Sequence, residues 1–250
     1  REGLSTFLNP EVQKVTDRSI KNNAGFGILE HLGKLNINDL LNKFKDSQGN
    51  DRFREQIFDY AALKIYRDKI VYKGIEAKKI IFCEGYGLKR NPWFDYLPLT
   101  GSKGEYLIIR TSKLSSKQII KGPIFISPLK EDLFWVGASF SRQDKTNIPS
   151  EQGKAWLIKK LDMLLNTPYK IVKHAAAVRP TVADRRPLLG VHPDHSNLYL
   201  LNGLGTRGVL MAPLLSQWLI DFIENKKQIP SEVVIDRFES YFSNRITKHV

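Results

Sequence analysis

The sequence predicts a mixed fold, α+β in one part and α/β in another. Between Tyr106 and Val178, short apolar runs are separated by tight turn signals, the mark of antiparallel strands. Leu198 to Leu201 runs into Gly203, Gly205 and Gly208 and then into a helical pattern, a strand–turn–helix unit. Lys78 to Cys83 is an apolar run closing on Glu84-Gly85, which reads as a buried strand presenting its C-terminal end.

Composition sets the bounds. At 250 residues with 42% hydrophobic and 10% aromatic content, the chain can bury a sizeable core. No apolar run reaches the roughly 18 residues of a membrane span, and no signal-peptide pattern opens the chain. The single cysteine, Cys83, excludes an internal disulfide and suits a reducing cytosol, so a cytoplasmic location is expected. The formal net charge of +13 is spread along the chain, with small clusters at Lys78-Lys79, Lys159-Lys160 and Lys226-Lys227. A Lys-rich surface, an anionic substrate and nucleic-acid contact all fit it. The first residue is Arg1 rather than Met, so a processed or truncated piece is expected.

Taken in order, Arg1 to Asn23 is polar and reads as loop with a short helix. Gly25 to Leu32 reads as a strand. Asn36 is a good N-cap, and Ile37, Leu40, Leu41 and Phe44 form one helical stripe through about Lys45. Short strands follow at Gln56–Phe58, Leu63–Tyr66, Ile70–Tyr72 and Lys79–Phe82. Tyr106–Arg110, Pro123–Pro128, Leu133–Phe140 and Tyr169–Val178, together with Gly25–Leu32, are expected to form one largely antiparallel sheet. Pro149 to Asn166 is a helix capped by Ser150, with Trp156, Leu157, Leu161, Leu164 and Leu165 on one face. From about Val209 to Glu224 the chain is helical again, and the tail beyond Phe238 is polar.

The stretch Val178 to Pro213 carries the chemistry. Arg179-Pro180 leaves a strand with a restricted backbone direction. Asp184, Pro187 and Gly190 follow, then Gly203, Gly208 and Ala212-Pro213. These residues, at this spacing, resemble the C-terminal segment of the D-amino-acid oxidase family of flavoenzymes. The family includes glycine oxidases, sarcosine oxidases and the oxidase half of a bifunctional tRNA-modifying enzyme. The resemblance runs from about Gly25 to about Phe238. Gly33, Leu35, Asn36 and Leu40 fit the family's strand–glycine–helix pattern. Lys103-Gly104-Glu105 and Val136-Gly137-Ala138 match further elements. Where the family has a run of small residues beside the cofactor, this chain has Cys83-Glu84-Gly85, and Cys83 and Glu84 depart from the pattern.

The resemblance implies an FAD-dependent oxidoreductase acting on the C–N bond of a small amino acid or amine, by hydride transfer to the flavin. A second reading is oxidation of a carboxymethylaminomethyl group on tRNA uridine; a third is a non-catalytic relative. The implied architecture interleaves a partial FAD-binding domain with an antiparallel-sheet substrate domain. Residues 1–35 and 91–180 belong to the substrate domain, and 36–90 and 181–250 to the FAD domain. FAD is expected in the full-length protein and little or none in this piece, because no dinucleotide fingerprint precedes Gly203. Gly203-x-Gly205-x-x-Gly208 could itself be such a fingerprint or a structural turn. The resemblance gives it another role, a helix N-terminus facing the flavin. The implied cofactor contacts are Cys83, Glu84, Gly85, Gly203, Leu204, Gly205, Thr206, Arg207 and Gly208.

Arg179 is the implied catalytic and carboxylate-binding residue, with Arg207 as a second substrate contact. The competing structural reading pairs Arg179 with Asp184. His174 is expected to face away from Arg179, and Cys83 has the alternative of a small buried hydrophobe. His192 and His195 lack a third metal ligand nearby.

Overall fold

The computed structural model describes residues 18–21, 26–31, 33–49, 52–114 and 117–248, with side chains to 245. The elements are α1 (Ile37–Gln48), β1 (Leu63–Ile65), β2 (Ile70–Tyr72), β3 (Ile75–Ala77), β4 (Ile80–Phe82), β5 (Ser102–Arg110), β6 (Ile120–Lys121), β7 (Phe125–Pro128), β8 (Leu133–Gly137), α2 (Glu151–Asp162), β9 (Lys170–Arg179), β10 (Leu188–Val191), β11 (Leu198–Asn202), α3 (Gly208–Asn225) and α4 (Glu239–Lys248). They build a five-stranded sheet of order β6-β7-β8-β5-β9, a three-stranded sheet β10-β11-β4 and a small meander β1-β2-β3.

The five-stranded sheet is antiparallel throughout, as the alternation predicts. Leu107 and Ile109 of β5 point to one face, where they are buried with Leu157 and Leu161 of α2. Burying each such side chain is worth about 1.5–3 kcal/mol, which is why α2 packs there. Ser150 caps α2 by accepting from the Gly153 amide at 3.0 Å. Trp156 does not join this face; it is exposed, with the Lys160 ammonium over its ring at 5.7 Å.

The second sheet is mixed. β11 pairs antiparallel with β10 and parallel with β4, so the carboxyl ends of β4 and β11 lie side by side. α3 packs on it through Leu215 and Leu219, which are buried with Leu189 and Tyr199. A complete parallel sheet starting at Gly203 is not what the chain forms among the described residues.

Several expectations are corrected. Within the expected strand Gly25–Leu32, Gly25 and Leu32 lie outside the described residues. Phe26 and Leu29 make only isolated bridges, and β6 takes the outer place in the sheet instead. Gln56–Phe58 is not a strand. Ile57 is 94% exposed, and Phe58 stacks on Tyr72 at 4.4 Å rather than joining a ladder. The apolar stripe of α1 exists as a helix capped by Asn36, yet none of its side chains is buried. β3 and α4 were not expected. β3 is short and mostly exposed, and α4 is too polar to show an apolar stripe.

Candidate functional site

Two loops at the carboxyl ends of β4 and β11 are held together by one side chain. The buried Asn202 amide donates to the Gly85 carbonyl at 3.0 Å and accepts from the Gly203 amide at 2.7 Å. Cys83-Glu84-Gly85 and the turn from Gly203 to Gly208 are therefore adjacent, as the sequence pattern implies. Gly203 (φ +73°) and Gly205 (φ +56°) adopt the left-handed conformation that favours glycine. Arg207 supplies no side-chain cap to α3, so the first-turn amides of that helix are left for an outside acceptor.

Glu84 is occupied. Its two carboxylate oxygens accept from Tyr60 Oη at 2.5 Å and Asn91 Nδ2 at 2.8 Å, which fixes the loop. Burial and this carboxylate push the Tyr60 hydroxyl well above its ordinary range. Cys83 is exposed, not a small buried hydrophobe, and desolvation by the protein around it, with the Glu84 charge, raises its thiol pKa.

The glycine turn is also tied to the end of β9. The Gly205 amide donates to the Pro180 carbonyl at 3.1 Å, and Thr100 and Gly101 amides donate to Thr181. Arg179 is thus one residue from the turn. Its guanidinium lies flat over Gly104 of β5, where any Cβ would collide with it. Nη1 is buried without a hydrogen-bond partner, and burial lowers the guanidinium pKa. Ser102, opposite Arg179 in the ladder and 1% exposed, likewise leaves its hydroxyl unpartnered. Buried donors of this kind cost stability unless something accepts from them.

The pairing of Arg179 with Asp184 does not occur. Asp184 Oδ2 accepts from Arg237 Nε at 2.9 Å, and Oδ1 from the Arg186 amide at 2.9 Å. Burial opposes ionisation there, but the Arg237 contact and the Arg186 amide together outweigh it and hold the carboxyl below its ordinary value. Arg207 stands elsewhere. It is exposed and lines an open cleft of ≈ 710 Å³ with Arg185, Arg186, Leu210, Leu214 and Trp218.

His174 faces away from Arg179, as alternation requires, and its Nε2 lies 2.8 Å from Glu105. His192 packs edge-on against Phe94 and Phe242, and its Nδ1 accepts from the Asp194 amide. Burial, together with the nearby His195, lowers its pKa to about 4.

Sequence reading missed Asn202, Tyr106 and Trp135. The last two share the open face of the five-stranded sheet with Arg179, their rings 5.6 Å apart. Only the register between β5 and β8 puts them together; the polar signal that could have been read was Asn202, directly before the glycine turn.

Comparison with known proteins agrees with this geometry. A family model described as FAD dependent oxidoreductase matches residues 55–222. Glycine oxidase from Bacillus subtilis is 28% identical over 135 residues, 53% of this chain and 36% of that protein. The tRNA 5-methylaminomethyl-2-thiouridine biosynthesis bifunctional protein MnmC from Marinobacter nauticus is 30% identical over 118 residues, 42% of this chain and 18% of that one. The crystal structure of glycine oxidase from Bacillus cereus superposes with a TM-score of 0.57 at 18% identity, covering 69% of this chain and 50% of that chain. L-alpha-glycerophosphate oxidase from Mycoplasma pneumoniae, with FAD bound, gives 0.54 at 17%, covering 66% and 50%. The chain therefore spans about half the length of these solved structures and less of the two sequence relatives. With the family model covering most of the chain, the chain belongs to the D-amino-acid oxidase family of FAD-dependent oxidoreductases.

Proposed function

We propose that this chain belongs to an enzyme that oxidises the C–N bond of a small amino acid or amine, with Arg179 holding the substrate carboxylate. The observation that carries the reading is the guanidinium over Gly104, with Nη1 buried, without an anionic partner among the described residues, and one residue from the glycine turn. A planar guanidinium matches a carboxylate bidentately, and more strongly where water is excluded.

The residues present fit FAD. The uncapped first turn of α3 offers amides and the positive end of a helix dipole. Leu204, Gly205, Thr206 and Gly208 would hold the flavin there, with Cys83 and the backbone of Glu84 and Gly85 on the facing loop. When bound, FAD supplies the two-electron acceptor for the oxidation. Arg179 fixes the carboxylate end of the substrate, which sets the direction of the C–N bond. No side chain of the chain is assigned as a base.

The same reading divides the chain. Residues 91–180 form the substrate domain, supported by the sheet from Ser102 to Arg179. Of residues 1–35, also assigned to it, the described part is tied on by the Ile20–Leu165 bridge, and residues 1–17, 22–25 and 32 lie outside the described residues. Residues 36–90 and 181–250 form the flavin side, supported by the parallel pairing of β4 with β11.

One observation favours a second reading, a carboxymethylaminomethyl group borne by tRNA. Arg185, Arg186 and Arg207 line one cleft, and no salt bridge to any of them is formed among the described residues. One assay addresses both readings. In the flavin-loaded protein, Arg179→Leu should raise KM for free amino acids at least tenfold and leave the visible flavin spectrum unchanged. Loss of the flavin instead would assign Arg179 to structure. Turnover of tRNA but of no free amine would favour the second reading.

A further inference from the structure

We propose that Tyr106 and Trp135 form an aromatic subsite beside Arg179, so that the site takes a carboxylate carrying a flat aromatic arm rather than a bare two-carbon acid. This rests on the assignment of Arg179 as the carboxylate anchor. In the ladder Tyr106 stands opposite Gly137 on one side and Ala175 on the other. Trp135 stands opposite Ile108, two residues along β8 from Gly137 and on the same face. Its indole lies across Gly137, where a Cβ would strike the indole ring and come within 3.0 Å of Tyr106 Cβ.

The two rings are tilted at 33° with centroids 5.6 Å apart. Neither belongs to a buried hydrophobic cluster, although the alternate residues of the same strands, Leu107, Phe134 and Val136, all do. Both rings are half-buried and stand outside the buried clusters, packed chiefly on each other across Gly137. The floor toward Arg179 is small: Gly104 and Ala177 are directly opposite each other.

The spacing suits one ligand. Gly104, under the guanidinium, and Tyr106 are two strand residues apart, about 7 Å. A carboxylate on Arg179 therefore places a substituent two or three carbons away onto the ring pair. Flat arms stack on aromatic faces with offset or edge geometry, which adds to the area they bury. The unpartnered Ser102 hydroxyl, beside Arg179 and buried, offers a further donor at the carboxylate end.

The test uses the flavin-loaded protein and two non-reacting probes, acetate and 3-phenylpropionate, with binding read by ligand-observed NMR. Phenylpropionate should bind at least tenfold more tightly than acetate. Arg179→Met should abolish binding of both. Trp135→Leu and, separately, Tyr106→Leu should bring phenylpropionate down toward acetate while leaving acetate unchanged. Two variants are needed because either may disturb the sheet; unchanged acetate binding reports an intact site. Equal binding of the two probes, with both still dependent on Arg179, overturns the subsite and leaves the anchor standing. A phenylpropionate preference that survives both ring variants also overturns it. Binding of both probes that ignores Arg179→Met overturns the anchor itself.

Discussion

The two faces of the five-stranded sheet are made by alternate residues of the same strands, yet they are finished differently. On the covered face, Lys103 and Glu105 are buried charges with every need met. Lys103, 1% exposed, donates to Asp144 and to the Ile148 carbonyl and lies 3.6 Å from Glu105. Glu105 accepts from the Ser150 amide at 2.9 Å and hydroxyl at 2.8 Å, and faces His174. Burial works against its ionised form, but these donors win and its pKa is lowered. On the open face, one residue away, the Ser102 hydroxyl and the buried Arg179 Nη1 have no partner among the described residues. Under the proposed function the difference has a reason, since the partner of the open-face cation would be the substrate carboxylate.

The largest effect should come from breaking the finished face. Lys103→Met removes the cation that links Asp144, Ile148 and Glu105. Removing one partner of a buried pair typically costs about 3–5 kcal/mol. Urea unfolding of the chain should show a midpoint drop of that order. A loss under 1 kcal/mol would mean the network tolerates rearrangement and the contrast between faces is smaller than drawn.

A matched pair of glycines sharpens the comparison with a smaller effect. Gly104 lies against the Arg179 guanidinium, and Gly153 lies against the Glu105 carboxylate. A Cβ at either position would collide with a charged group. Alanine at 153 should gain about 1 kcal/mol of helix propensity, but the Glu105 carboxylate is held by Ser150 and His174 and cannot step aside. Gly153→Ala should therefore destabilise by a net ~1–2 kcal/mol, in the range of overpacking. Gly104→Ala should cost less, because the guanidinium ends a flexible side chain with no partner to lose. Equal losses at the two positions would show that Arg179 is as tightly held as Glu105.

The same contrast explains what could be read from the sequence. The strands around Leu107, Ile126, Phe134 and Val136 were legible because apolar residues alternate there and the alternation has one physical cause, a single buried face. The start of β5 was not legible as strand, since Lys103 and Glu105 occupy inward positions where an apolar residue is expected. Their partners lie 41 or more residues away, at Ser150, His174 and the segment from Asp144 to Ile148, and only tertiary contact reveals them. Arg179 stood out because it precedes proline at the end of a strand. Trp135 and Tyr106 did not, because their pairing depends on register between strands 29 residues apart. The stripe of α1 was read correctly as helix, but a stripe records only the capacity for burial, and here its side chains remain exposed.

The smallest predicted effect separates the two faces most cleanly. Arg179 and Lys103 are both cations on adjacent antiparallel strands of one sheet, and both are replaced by methionine. Lys103→Met leaves acceptors behind without their cation. Arg179→Met leaves nothing behind, because no residue among those described accepts from it; Ser102 loses no bond it had. The substitution also removes a buried, unpartnered Nη1 and replaces it with an apolar thioether that can lie over Gly104. Burying a polar group without a hydrogen bond costs roughly 1–3 kcal/mol in protein mutational data, and only one edge of this guanidinium is buried. Arg179→Met should therefore leave the urea midpoint unchanged or raise it by the equivalent of up to about 1 kcal/mol. A loss of 2 kcal/mol or more would mean that Arg179 holds the sheet together, and the open face would then be structure rather than site.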